Sequence, residues 1–92
     1  MKKLMMFHGR ECPHCQVMMP LVERLEREEG LVLEKYEVWH DKANAELMQS
    51  YKRILTSRTG GRLLVPAFLN THSGEAFCGE ASYETLKVWA EK

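Results

Sequence analysis

The sequence predicts an α/β domain in which a mixed sheet of about four strands is flanked by three helices. Short apolar runs alternate with helical patterns in the first half of the chain, an order typical of parallel strands joined by a crossover helix. In the second half, two short β-forming runs are separated by turn residues, which indicates an antiparallel hairpin. A last helical pattern follows the hairpin.

The first strand and helix surround a pair of cysteines. Residues 3 to 8 form a short apolar run of the kind buried on both faces of a sheet. From Pro13 to about Glu28, apolar residues recur at helical spacing, and Gly30 is a typical residue after a helix end. Pro20 removes one backbone donor inside this helix, so we expect a kink there. Residues 31 to 39 are rich in β-formers and predict the second strand.

The remaining elements follow a second helix, which Asp41 or Asn44 can cap and which runs to about Leu55. A polar loop covers residues 56 to 62, and Pro66 begins a strand within the apolar run 63 to 69. Residues 70 to 75 turn the chain, residues 76 to 78 form the returning strand, and Gly79 ends it. Ser82 can cap the last helix. Its buried side should carry Tyr83, Leu86, Trp89 and Ala90.

Length and charge narrow the classes of function. A chain of 92 residues is long enough for one domain, residues 1–92, with a single core. The 13 basic and 13 acidic side chains give a formal net charge of zero, so nothing favours nucleic acid or an anionic membrane as partner. We expect a monomer that acts on small molecules or on protein thiols.

The start of the chain and its cysteine count indicate a compartment. Only the short run Leu4 to Phe7 follows the first basic residues, whereas a signal peptide needs an apolar core of about seven residues or more. We therefore expect a cytoplasmic protein. Three cysteines in such a compartment favour catalytic or metal chemistry over a framework of structural disulfides.

The sequence Cys12-Pro13-His14-Cys15 has the C-x-x-C spacing and lies between the first strand and the first helix. Pro13 suits the first helical position, which puts Cys12 at the helix N-terminus. Free backbone N–H groups and the helix dipole favour a thiolate there. Cys12 is thus the expected attacking sulfur, and Cys15, one turn further on, the expected resolving one. The same spacing also forms half of many zinc sites, but a strand-to-helix junction favours the redox interpretation.

Neighbouring residues leave several alternatives open. His14 stabilises the Cys12 thiolate or is merely solvated, whereas Arg10 would assist and Glu11 would oppose by its charge. Cys78 is a packed hydrophobe or a third redox or metal group. The alternative function is a metal-binding module that coordinates zinc or iron. It would use Cys12 and Cys15 together with one of Cys78, His14 and His8. Trp39 and Trp89 are expected in the core.

The order of elements resembles the thioredoxin fold, and the glutaredoxin branch most closely. Three features carry the resemblance: the C-x-x-C after the first strand, Pro20 five residues past Cys15, and Val65-Pro66. The resemblance implies a thiol-disulfide oxidoreductase whose Cys12–Cys15 dithiol needs no cofactor. It also implies a cis bond before Pro66 and a substrate paired with the backbone of Val65. Its partners would be protein or small-molecule disulfides and a thiol or reductase that supplies electrons, with glutathione as a possible co-substrate.

The chain departs from the family at several positions. Glu11 and Met6 stand where thioredoxins carry Trp and a buried Asp. Gly79 and Ser82 fall in the stretch that glutaredoxins use for glutathione, but one glycine and the acid of that pattern are missing. Gly9 aligns with a glutaredoxin lysine, for which Arg10 could substitute.

A further likeness concerns redox potential. His14 together with Val65 is similar to the oxidising periplasmic proteins of the DsbA type, although this chain lacks their helical insertion. Groups that stabilise the thiolate stabilise the reduced form, so we expect a couple more oxidising than that of thioredoxin.

Overall fold

The computed structural model describes residues 3–57 and 59–92, and these residues form an α/β fold with one mixed sheet. Its four strands are β1 (Leu4–His8), β2 (Glu34–Glu37), β3 (Ala67–Asn70) and β4 (Ala76–Cys78). The described helices are α1 (Pro13–Glu29), α2 (Lys42–Ser50), α3 (Lys52–Leu55) and α4 (Tyr83–Glu91). None of them is both long enough and apolar enough to span a membrane.

The sheet has the strand order β2-β1-β3-β4. β1 pairs with β2 in parallel and with β3 antiparallel, and β3 pairs antiparallel with β4. The predicted parallel pair and the predicted hairpin are both confirmed. Phe7 is paired with Ala67, the residue after Pro66. This register therefore brings the chain just before the cysteines next to Val65 and Pro66.

The core lies on both faces of the sheet because side chains of β1 alternate between them. On one face, Leu4 and Met6 pack with residues of α1 and α4. On the other, Met5 and Phe7 pack with residues of α2 and α3. The buried residues of the first face are Leu4, Met6, Met18, Val22, Leu25, Leu33, Phe68, Leu86, Trp89 and Ala90. Those of the second are Met5, Phe7, Met48, Leu55, Ala67 and Leu69.

The second predicted helix is divided at Tyr51, so the described residues contain four helices where three were expected. Asp41, rather than Asn44, is the N-cap of α2, and its carboxylate accepts the N–H of Asn44 at 3.0 Å. At the other end, the hydroxyl of Ser50 donates to the Leu47 carbonyl at 2.5 Å. The N–H of Tyr51 bonds the Met48 carbonyl three residues back. Such tight local bonds compete with the helical pattern, which explains the interruption.

The second strand is shorter than the predicted range 31 to 39. The backbone N–H of Leu33 donates to the Glu26 carboxylate at 3.0 Å, so the chain before Glu34 is tied to α1. Leu33 is buried in the core beside that helix. Pairing with β1 starts only where Glu34 meets Met5. The apolar residues that predicted the start of a strand thus lie in the connection between α1 and β2.

The ends of α1 and α4 agree with the predictions. Gly30 follows α1 with a φ of 64°, a left-handed conformation that glycine adopts readily. Ser82 is the N-cap of α4 and accepts the N–H of Thr85 at 3.1 Å. Pro20 lies inside α1, and the kink there stays a prediction.

Candidate active site

Cys12 is the N-cap of α1, and Pro13 occupies the first turn, as the sequence predicted. The sulfur of Cys12 accepts the backbone N–H of Cys15 at 3.2 Å. The backbone N–H of Cys12 donates to the Gly9 carbonyl at 3.1 Å, and this bond fixes how the chain enters the helix. The Cys12 sulfur therefore lies at the N-terminus of α1 and caps one of the free N–H groups of the first turn.

The second contact of Cys12 comes from the segment before β3. The Cys12 thiol lies 3.8 Å from the Val65 carbonyl oxygen, a long, weak hydrogen bond. The Val65–Pro66 peptide bond is cis. The Pro66 carbonyl accepts the N–H of Gly79 at 2.8 Å. The fold thus brings Val65, Pro66 and Gly79 together beside the cysteine motif, although more than fifty residues separate Cys12 from Val65 in the chain.

Ser82 is placed differently from the other predicted substrate-binding residues. Its hydroxyl oxygen accepts the N–H of Thr85, so it caps α4. The hydroxyl itself donates to the Thr85 side-chain oxygen at 3.1 Å. The side chain of Ser82 is therefore engaged within its own helix.

Both cysteines of the motif are buried, each with 2% of its surface exposed. Burial raises the pKa of Cys15 to about 12, and its hydrogen bond with Cys12 acts in the same direction. A hydrogen bond with the Gly9 backbone opposes the rise. Cys15 is consequently a neutral thiol at physiological pH.

A groove of about 430 Å³ opens beside the motif. Val65, whose carbonyl contacts Cys12, is part of its wall, and so is His14. The lining is completed by Leu64, Cys78, Gly79 and Glu80. We call this space the substrate groove, after the function proposed below; Cys12 itself is not among the described residues that line it.

His14 and Glu80 form a hydrogen-bonded pair in the wall of the substrate groove. Nδ1 of His14 lies 2.6 Å from the carboxylate oxygen of Glu80, and both side chains are well exposed. The hydrogen bond of His14 is thus made with the β4–α4 loop and not with the Cys12 sulfur. This contact gives His14 a place in the groove, while its predicted effect on the thiolate stays a prediction.

A carboxylate from the end of β2 holds the chain before Cys12. Glu37 accepts backbone N–H groups from Arg10 at 2.8 Å, from His40 at 2.8 Å and from Trp39 at 3.3 Å. Partial desolvation would raise the pKa of Glu37, but these donors outweigh it and lower the pKa. Arg10 was predicted to assist through its charge. Its side chain is exposed, and Arg10 bonds to Glu37 through its backbone N–H.

Trp39 covers Gly9, the buried residue that precedes Arg10. A Cβ atom at Gly9 would lie 2.3 Å from the indole ring, so the close approach requires glycine. Trp39 was expected in the core, and that expectation is wrong, because half of its surface, 51%, is exposed. Its other face packs on the loop before the motif instead. The position that aligns with a glutaredoxin lysine therefore has no room for a side chain.

Glu11 and His40 complete this side of the site. Nε2 of His40 lies 2.6 Å from the Glu11 carboxylate. This hydrogen bond lowers the pKa of Glu11. The opposing charge predicted next to Cys12 is therefore paired with a histidine. We call the contacts of Glu37, Trp39 and His40 with residues 9 to 11 the loop clamp.

The third cysteine lines the substrate groove from β4. The Cys78 thiol donates to the Leu55 carbonyl at 3.5 Å, and burial raises its pKa. Within residues 3–57 and 59–92, no group of three or more His, Cys, Asp or Glu side chains is arranged to hold a metal ion. His8 is half-buried in β1, and burial lowers its pKa. Cys78 thus packs as a small hydrophobe at the groove.

Sequence reasoning found the cysteines and the Val65-Pro66 segment but missed Glu37, Trp39 and His40 as parts of the site. These residues follow the second strand, and only its parallel pairing with β1 brings them to the loop before Cys12. That pairing was itself predicted. The carboxyl ends of β1 and β2 meet at one edge of the sheet, and this is the signal that could have located them.

No protein-family model matches the chain, and no curated protein matches it. The geometry around Cys12 is therefore the guide to its function.

Proposed function

We propose that this chain is a thiol-disulfide oxidoreductase with the thioredoxin fold, most similar to glutaredoxins. One observation supports this above all. The Cys12 sulfur is held at the N-terminus of α1 between the Cys15 N–H and the Val65 carbonyl, beside an open groove. A nucleophilic thiolate, a second thiol one turn away and a surface for the substrate are the parts that disulfide exchange needs.

In the first step, the Cys12 thiolate attacks one sulfur of a substrate disulfide. A bond forms between Cys12 and that sulfur, the substrate S–S bond breaks, and the other substrate sulfur leaves as a thiolate that takes a proton from solvent. Because Cys12 is buried, the surrounding side chains must move slightly before the substrate sulfur can approach in line.

In the second step, Cys15 loses its proton and its sulfur attacks Cys12. The Cys12–Cys15 disulfide forms, and the remaining substrate thiolate is released and protonated. Part of the raised pKa of Cys15 comes from the hydrogen bond and charge of Cys12. That part disappears when Cys12 is bound in the mixed disulfide, so Cys15 becomes easier to deprotonate at the moment when it must react.

The cycle transfers two electrons and two protons from the dithiol to the substrate. A thiol or a thiol-disulfide reductase must return them, since the protein has no other source of electrons in this reaction. Neither step requires a metal ion or an organic cofactor.

The test is reduction of insulin, or of a small disulfide, by wild type and by single cysteine variants. Cys12→Ser should be inactive, because it removes the nucleophile. Cys15→Ser should accumulate a mixed disulfide with the substrate, detectable by mass spectrometry. Cys78→Ser, which removes the third thiol, should neither abolish turnover nor accumulate a mixed disulfide, and this separates the motif thiols from the thiol in the groove wall.

Equal activity of the Cys12 and Cys15 variants with wild type would refute this mechanism. Elemental analysis provides an independent check, since stoichiometric zinc or iron in the purified protein would favour the metal-binding alternative.

A further inference from the structure

The lining of the substrate groove has a distinctive charge pattern. Leu64, Val65, Gly79 and Cys78 give it a largely apolar wall. Glu80 is the one acidic residue in that lining, and no Lys or Arg among the described residues takes part in it. The basic group present is His14, and it is already paired with Glu80.

A bound disulfide must pass over this groove. Its reacting sulfur has to reach Cys12, whose thiol lies 3.8 Å from the Val65 carbonyl. Val65 also forms part of the groove wall, and His14 lies two residues after Cys12. The groups next to the reacting sulfur therefore enter the groove that Val65, His14 and Glu80 line.

The His14–Glu80 pair is open to solvent, with 67% of the His14 side chain and 46% of the Glu80 side chain exposed. A cationic group on the substrate can approach the Glu80 carboxylate alongside His14 or in its place. A carboxylate on the substrate meets Glu80 as a like charge and finds no lysine or arginine in the described lining to offset it. The groove thus distinguishes substrates by the sign of their charge.

We infer that the groove selects disulfides that carry a cationic group next to the reacting sulfur and disfavours those that carry carboxylates, glutathione disulfide included. This inference rests on the proposed function and specifies its substrate class. The cationic disulfide could be a small aminothiol or a cystine next to lysine or arginine in a protein.

The experiment compares reduction rates of three small probes of similar size: cystamine, bis(2-hydroxyethyl) disulfide and 3,3′-dithiodipropionate. Each rate is divided by the rate at which dithiothreitol alone reduces the same probe, which corrects for the intrinsic reactivity of the probe. We expect the corrected rate for cystamine to be about five times that for dithiodipropionate, which is the size of a solvent-exposed charge effect.

Variants of the two paired residues should change that ratio in opposite directions. Glu80→Gln should lower it toward one, because the acid is removed. His14→Gln should raise it, because Glu80 is then left without its partner. Glu11→Gln removes the same charge from the opposite side of the motif, and this matched control should leave the ratio close to that of wild type.

A corrected ratio of one in wild type, or equal effects of Glu80→Gln and Glu11→Gln, would overturn the inference while leaving disulfide reduction intact. Failure to reduce the neutral probe would instead overturn the proposed function. Short cystine peptides flanked by Lys or by Glu identify the source of the cation. Faster reduction of the Lys peptide than of cystamine points to protein disulfides, and the reverse order points to small aminothiols.

Discussion

The two sides of the cysteine motif are built differently. On one side, the loop clamp holds residues 9 to 11 through the Arg10 N–H bond to Glu37, the pairing of Glu11 with His40 and the ring of Trp39 on Gly9. The N–H groups of Trp39 and His40 bond to the same Glu37 carboxylate and order the clamp itself. On the other side, the exposed pair of His14 and Glu80 lies in the wall of the substrate groove. The first side, which we call the closed side, is covered by contacts with the backbone of residues 9 to 11, and the other side is open to solvent.

Under the proposed function, this difference separates the positioning of the cysteines from the recognition of the substrate. Hydrogen bonds from backbone N–H groups to a carboxylate restrict the chain itself, so the loop clamp sets where Cys12 and Cys15 lie. An exposed ion pair adds little to stability, because water solvates both partners almost as well. The groove is therefore free to vary in charge without loss of the fold.

The largest expected effect concerns Cys15, which is buried at the closed side and contacts the Gly9 backbone. Its pKa in the folded protein is raised from 9.0 to about 12. The folded state then holds a proton that the unfolded state has lost, so stability is full below about pH 9 and falls as the pH rises toward 12. The slope for one proton is at most about 1.4 kcal/mol per pH unit.

Urea unfolding of the reduced protein at about pH 8 and about pH 10 measures this slope. Cys15→Ala shares every other titrating group, including Tyr36 and Tyr83, and should show a shallower loss. Parallel losses in the two proteins would mean that Cys15 ionises normally.

An effect of similar size is expected when the closed side is disturbed at Gly9. Gly9→Ala places a Cβ atom 2.3 Å from the indole of Trp39, so the ring must move. We expect a loss of about 1–3 kcal/mol in the free energy of unfolding, typical of overpacking. Chemical denaturation measures it.

A double-mutant cycle provides the control for that substitution. In a Trp39→Ala background, Gly9→Ala should cost much less, because the clashing ring is gone. The same cost in both backgrounds would show that the ring does not restrict Gly9.

The smallest effects come from a matched pair of glutamates, one on each side of the motif. Glu37→Gln should lower the urea midpoint and speed amide exchange at Arg10, Trp39 and His40, because a neutral amide is a weaker acceptor. Glu80→Gln should leave both quantities close to wild type. If Glu80→Gln proved the more destabilising, the division between a positioning side and a recognition side would be wrong.

Local sequence signals predicted most of the fold correctly. Pro13 after Cys12, Gly30 and Ser82 are local markers of helix ends, and each is found at the end that it predicted. Predictions failed where local side-chain hydrogen bonds or tertiary packing determined the backbone conformation. The Ser50 hydroxyl interrupts the second helix, and Leu33 is buried in a connection instead of a strand.

The sequence by itself determined the parts of the site that lie close together in the chain. Cys12 caps its own helix because the spacing to the Cys15 N–H is a property of one helical turn. The partners of the motif from other segments depend on tertiary structure. The pairing of β1 with β2 brings Glu37 and Trp39 to Gly9 and Arg10, and the pairing of β1 with β3 brings Val65 to Cys12. Side chains distant in the chain meet only when the strands pair in a fixed register. The number of residues between two strands does not by itself give the distance between them in the fold.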